Sequence, residues 1–242
     1  MKGTCYFCKK EFEKSSMLRH ILSCKSMKEY FSKLSDEEGI KEKEVFILSV
    51  YPKYDSSLYW LYVSVDTKAT LRDIDKFLRD FWLECCGHLS QFKIDGEIYD
   101  IDPKGWLDEP FFFGPKPKSM NYKLANVITE NMKFDYKYDF GSTTHLELKV
   151  LKRQLLPQKK KVVVLAQNIA PIYYCDNCQE KAEYFCYECG EFLCENCVKQ
   201  HLYHEEMIEK IANGIANSPR NGVCGYGFQD MSSMIEKYLP TE

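Results

Sequence analysis

The sequence predicts an α+β chain: a mostly antiparallel sheet with one main amphipathic helix, accompanied by small cysteine-rich modules. Three observations predict it. Alternating apolar and polar residues recur through the middle of the chain, most clearly in FDYKYDF at 134–140, and period two is that of a pleated strand. One stretch instead places Leu71, Ile74, Leu78, Phe81, Trp82 and Cys85 at spacings of three and four, as a helix face requires. Finally, most of the 12 cysteines fall near the N-terminus or between 175 and 197.

Bulk composition bounds the reading. A chain of 242 residues that is 45% hydrophobic can bury one core of about 150 residues plus one or two small modules. The formal charge of −3 argues against a strongly basic nucleic-acid surface, and thiolate ligation would make the chain more negative still. The opening MKGTCYFCKKEFEK carries no apolar signal-peptide core, and no segment approaches a membrane span. A cytoplasmic chain without membrane association is expected, in which thiols stay reduced and clustered cysteines bind metal.

Taken in order, residues 1–30 form a first module in which Cys5, Cys8, His20 and Cys24 follow C-x2-C-x11-H-x3-C. Phe12 and Leu18 lie between the pairs as a miniature core. His20 and Cys24, four apart, are expected on one helix face sharing one metal. The pattern resembles a C2H2 zinc finger with the last His replaced by Cys and the central spacer one residue short. Both departures suit zinc, and a structural knuckle or protein-contact finger is expected more than a reader of the DNA major groove. Residues 31–43, FSKLSDEEGIKEK, read as a charged linker or exposed helix end.

The core occupies 44–168. EVFILSVYPK (44–53) and YWLYVSVD (59–66) read as strands around a Pro52–Ser57 turn, with Leu61, Val63 and Val65 on one face. Thr70 and Asp73 form a capping box opening the helix, which ends near Gly87 and packs on the sheet. HLSQFKIDG, EIYDI and YKLANVI are read as further strands. FDYKYDF and HLELKVL are read as a hairpin, and KVVVLA follows the basic Lys159–Lys161 loop. GWLDEPFFFGPKPK (105–118) is expected to tuck over the core, because a bare Phe triplet invites aggregation.

The strongest motif lies at 172–209. Cys175, Cys178, Cys186, Cys189, Cys194, Cys197, His201 and His204 make C-x2-C-x7-C-x2-C-x4-C-x2-C-x3-H-x2-H. Eight ligands make two closed tetrahedral sites, which are structural because no position is left open for water. With the N-terminal finger, three structural Zn2+ ions are expected. Spacing alone leaves sequential and interleaved pairings open. The segment resembles a B-box zinc finger, which implies interleaving: Cys175, Cys178, Cys194 and Cys197 on one ion, and Cys186, Cys189, His201 and His204 on the other. His201 and His204 are expected on a common helix face.

Three further stretches, TLRDIDKFLRDFWLECCGHLSQFKIDG (70–96), YKYDFGSTTHLELKV (136–150) and SPRNGVCGYG (218–227), together resemble the plasmid pRiA4b ORF-3-like family. The resemblance spans about 44–168 and 210–240. It implies the core's fold, with the eight-ligand module inserted before a tail at 210–242. Members of that family commonly carry an acidic residue and a Trp just after YDFG, where this chain has Ser142 and Thr144. Some members are associated with plasmids and mobile elements.

These readings point to a zinc-binding, non-enzymatic interaction (adaptor) protein with a protein partner. The alternative is a nucleic-acid-binding accessory protein using the N-terminal finger, where Lys2, Lys9, Lys10, Lys14 and Arg19 outweigh Glu11 and Glu13. A weaker alternative is an enzyme in the α+β core, built from His88 beside Glu84, His145 beside Asp139, or the Cys224 thiol. No residue is assigned a catalytic role. Cys85 is expected on the buried helix face and Cys86 to need no special role.

Overall fold

The structure, a computed structural model, describes residues 1–37, 39–104, 116–201, 205–211, 217–224, 226 and 232–240. The fold is α+β and its sheet is antiparallel at all but one pairing. The strands are β1 (Lys2–Cys5), β2 (Glu11–Glu13), β3 (Glu42–Pro52), β4 (Leu61–Asp66), β5 (Ser90–Ile94), β6 (Glu97–Asp100), β7 (Lys118–Ser119), β8 (Lys133–Tyr138), β9 (Thr144–Pro157) and β10 (Val162–Asn168). Among the described residues they form one ten-stranded sheet in the order β2-β1-β10-β4-β3-β9-β8-β5-β6-β7.

The central strands are buried on both faces, which explains why β4 carries no exposed residue. Leu61, Val63 and Val65 face one cluster with Phe46, Leu48 and Val164. Tyr62 faces the other, with Val45, Ile47 and Leu165. The first face is covered by α3 (Leu71–Leu78), which continues into a π-helical turn at Arg79–Leu83. Its Thr70–Asp73 capping box is complete in both directions.

The second face is covered by α1 (Lys14–Ser23) and α2 (Lys25–Asp36), through Met17, Ile21, Met27, Phe31 and Leu34. The stretch expected as a linker or exposed helix end at 31–43 therefore completes an amphipathic helix with a buried stripe. The stretch's first charged residues, Lys33 and Asp36, lie on the solvent face of α2, and Glu42 and Lys43 open β3.

A β-bulge in β10 between Val164 and Ala166 serves both ends of the chain. The Leu165 carbonyl accepts from the Tyr6 N–H at 3.0 Å, and the Val164 N–H donates to the Tyr238 carbonyl at 2.9 Å. YKLANVI is not a strand. Lys123 makes a lone bridge to Thr70, and Leu124–Asn126 turns as a 3-10 helix. The Leu124 and Ala125 N–H groups donate to the carbonyls of Ala69 and Thr67, so the α3 entry loop claims the donors a strand would need. The Phe triplet and Trp106 lie outside the described residues.

Candidate metal centres

At the N-terminus, β1 carries Cys5 and a tight turn returns Cys8 beside it. The Lys9 N–H donates to the Cys5 carbonyl at 2.9 Å, with Lys9 at φ 57°. His20 sits on α1 and stacks on Phe12 with ring centroids 3.7 Å apart. Cys24 is not inside a helix with His20, as the four-residue spacing suggested. It is the extended residue (φ −62°, ψ 117°) between α1 and α2. Ser23 marks the break, its hydroxyl donating to the carbonyls of Arg19 and His20.

Cys5, Cys8, His20 and Cys24 nonetheless bring their ligand atoms within 4.8 Å of one another. Cys5 and Cys24 sulfurs are 4.0 Å apart, and Cys8 Sγ lies 3.3 Å from His20 Nε2. Burial pushes the Cys5 thiol up to about 12 and lowers His20. A lowered His favours the neutral ring a metal requires.

The finger is continuous with the core. β1 pairs with β10 through Gly3–Asn168, Thr4–Gln167 and Cys5–Ala166. Lys14, counted among its basic residues, turns inward to donate to the Ser56 carbonyl.

The second group lies at 172–211. A three-stranded sheet, β12 (Phe192–Leu193), β11 (Tyr184–Cys186) and β13 (Ile208–Lys210), organises it. The ligands gather in interleaved fashion: Cys175, Cys178, Cys194 and Cys197 in one cluster, and Cys186, Cys189 and His201 in the other. Cys178 Sγ is 3.5 Å from Cys194 Sγ and 3.6 Å from Cys197 Sγ. Cys189 Sγ is 3.5 Å from His201 Nε2. His201 follows a 3-10 turn at Val198–Gln200, not an α-helix, and His204 lies outside the described residues.

Electrostatics differ between the ligands. Burial pushes Cys175 up, but the backbone N–H groups of Cys194, Asn177 and Cys178 outweigh it and bring the thiol down to about 6. His201 Nδ1 lies 3.7 Å from Glu191 Oε2, the outer contact that orients a ligating imidazole. Zinc–sulfur bonds of about 2.3 Å in a tetrahedron set sulfurs about 3.8 Å apart. The observed sulfur separations of 3.5–4.0 Å fit that group.

The core histidines take partners other than those expected. Glu84 is occupied by Arg79 at 2.9 Å and Tyr138 at 3.0 Å. His88 Nε2 instead lies 3.6 Å from Asp139 Oδ2, and His145 Nε2 lies 3.6 Å from Asp135 Oδ1. Burial lowers the His145 pKa.

His88 and Cys224 do meet, at 3.2 Å, while His145 is not among the ligand-type side chains around them. Cys85 and Cys86 complete that group. Sequence reasoning gave Cys86 no role and could not join it to Cys224, 138 residues away. The signal available was the bare string CCGH.

A B-box zinc finger family model matches residues 172–206. Together with the Cys/His clusters, this match indicates a zinc-binding chain. Among solved structures the chain is similar to a protein of unknown function from Methanosarcina mazei Go1. Identity is 18% and the TM-score 0.41, over 58% of this chain and 76% of that one. No curated protein matches. No helix among the described residues is long and apolar enough to cross a membrane.

Proposed function

We infer that this chain is a non-enzymatic adaptor whose B-box-like module presents a protein-binding surface while the α+β core holds that module in place. The carrying observation is the match at 172–206 combined with what the module leaves in solvent. Ile172 and Tyr174, at its start, are 63% and 56% exposed, and Met207 closes the segment partly exposed. Apolar side chains left in solvent on a metal-braced element suit a protein interface. B-box domains commonly mediate protein interactions.

The module's seat supports the same reading. Tyr173 hydrogen-bonds Tyr59 of the core and accepts from Asn221 at 3.3 Å. Tyr173 also stacks on Phe192 with centroids 4.3 Å apart. One aromatic side chain thus ties module to core.

In this proposal three structural Zn2+ ions occupy the three groups of twelve assigned ligands, Cys5, Cys8, His20 and Cys24 forming the first. The core takes the fold implied by its resemblance to the plasmid pRiA4b ORF-3-like family, and the chain works in the cytoplasm.

The test is a photo-crosslinking residue placed at Tyr174 and, as control, at Lys152 on the core. A protein partner captured from Tyr174, not from Lys152, and lost on zinc chelation is expected. Capture of nucleic acid alone, or equal capture from both positions, overturns the reading.

A further inference from the structure

We propose that Cys85, Cys86, His88 and Cys224 form a fourth zinc site, which clips the segment at 217–224 onto the end of the core helix. The four ligand atoms lie within 4.8 Å of one another. Cys86 Sγ is 3.6 Å from both Cys85 Sγ and Cys224 Sγ. His88 Nε2 lies 2.9 Å from Cys86 Sγ and 3.2 Å from Cys224 Sγ. Three thiols and one imidazole converging on one point form a Cys3His set, a closed structural zinc arrangement. The sulfur separations are close to the edge of about 3.8 Å that zinc–thiolate bonds set.

The backbone is shaped for this convergence. Gly87 at φ 78° turns the chain so that His88 returns toward Cys86. Cys224 is itself at φ 52°, an uncommon conformation for a residue with a Cβ. Arg220, wholly buried, supplies an outer contact, its Nη2 lying 3.6 Å from Cys85 Sγ. A cation beside a three-thiolate site offsets its net negative charge.

A Cys–His catalytic pair fits less well. Such a pair needs one thiol on one ring nitrogen and an orienting group on the other. Here two thiols and Asp139 all approach the same atom, His88 Nε2. The assignment also accounts for every cysteine. The four clusters hold three, three, four and two of them, which is all 12.

The test uses the full chain under reducing conditions, with alkylation of native protein and peptide mapping by mass spectrometry. Cys86 and Cys224 are exposed, so burial alone does not shield them. Protection of Cys85, Cys86 and Cys224 in zinc-loaded protein, abolished by chelation, is expected. Labelling of these three at the same rate with and without zinc overturns the site, and this measurement needs no variant. Zinc content gives the second readout. Cys86→Ser, Cys224→Ser and the double variant should each lose the same single ion relative to the unsubstituted chain, and unchanged stoichiometry in all three overturns the proposal.

Discussion

Arg220 donates through Nη2 to Asp139 Oδ2 at 2.6 Å, and both side chains are buried. The same guanidinium donates through Nη1 to the Ser142 carbonyl at 2.6 Å and to Thr144 Oγ1 at 3.1 Å. It also lies over the Tyr138 ring, 5.0 Å from the centroid. One side chain of the C-terminal loop thus braces the turn between β8 and β9 at Asp139, Ser142 and Thr144. The loop is further held where Trp82 Nε1 donates to the Asn217 carbonyl at 2.8 Å and Ser218 Oγ donates to the Trp82 carbonyl at 2.6 Å.

Removing Arg220 should therefore be costly. Arg220→Ala leaves Asp139 buried without its cation, a loss of about 3–5 kcal/mol. Arg220→Lys should recover only part, because an ammonium cannot reproduce the planar fork that serves three acceptors. Denaturant unfolding of the three chains checks the order. An Ala variant within about 0.5 kcal/mol of the parent, the range of ordinary surface changes, would show that the loop contributes little.

Gly3 is a second tight point, where β1 joins the core sheet along β10. A Cβ there would lie 2.2 Å from Trp60 Cη2 and 2.3 Å from the Gln167 carbonyl oxygen. Trp60 is fully buried and the carbonyl is backbone, so neither can withdraw cheaply. Gly3→Ala should destabilise by about 1–3 kcal/mol through overpacking. Because β1 carries Cys5, the same variant should weaken zinc retention at the finger. Zinc release by a colorimetric chelator, compared at equal folded fraction, measures this, and unaltered release would separate the finger from the sheet edge.

Much of this arrangement was legible from local signals, and the reasons are physical. Thr70 and Asp73 act within one turn, so their spacing alone predicts the capping box. FDYKYDF alternates because β8 buries Phe134, Tyr136 and Tyr138 against the core while the residues between them stay outside it. Ligand spacing marks the cysteine pairs because a C-x2-C turn points both thiols at one place, whereas the interleaving at 172–209 is implied by the B-box resemblance and not by spacing. What escaped depends on distant partners. Residues 31–43 read as a charged linker or exposed helix end until Phe31 and Leu34 find the second sheet face. YKLANVI has strand composition, but the α3 entry loop takes its donors. Cys86 and Cys224 meet only because Arg220, Asn217 and Ser218 dock the tail.

Chelation should act unequally on the two assigned zinc regions. Among its described residues the 172–211 module buries few apolar side chains of its own, chiefly Ala182, Phe185 and Leu193. Metal binding there is largely folding free energy. The N-terminal segment instead packs Met17, Ile21, Met27 and Phe31 into the core cluster. Hydrogen exchange after exhaustive chelation should show protection lost across 175–210, retained in β3, β4 and β9, and only partly reduced in α1 and α2. Equal loss in both regions would mean that the N-terminal packing does not hold without metal.

Asp80 gives the chain an acid-sensitive anchor. Its carboxylate accepts from Lys237 Nζ and Tyr238 Oη, each at 2.6 Å, and from Lys76 Nζ at 3.0 Å. Tyr238 packs edge-on against Phe77, centroids 4.9 Å apart, so the contact seats the C-terminal segment on α3. Burial raises the Asp80 pKa, but the donors from Lys237, Tyr238 and Lys76 outweigh it and hold the group below its usual value. A folded pKa below the unfolded one stabilises the fold fully above the unfolded pKa, near 3.9. That contribution is lost as pH falls through the lower, folded value. Asp80→Asn should therefore be less stable than the parent by about 1–3 kcal/mol at pH 6, with the gap closing as pH falls below the unfolded value and through the folded one. The difference between the two chains is the quantity to read, because acid also releases zinc from thiolates in both. A gap that stays constant between pH 6 and the acid limit would assign the effect to shape and not to the Asp80 charge.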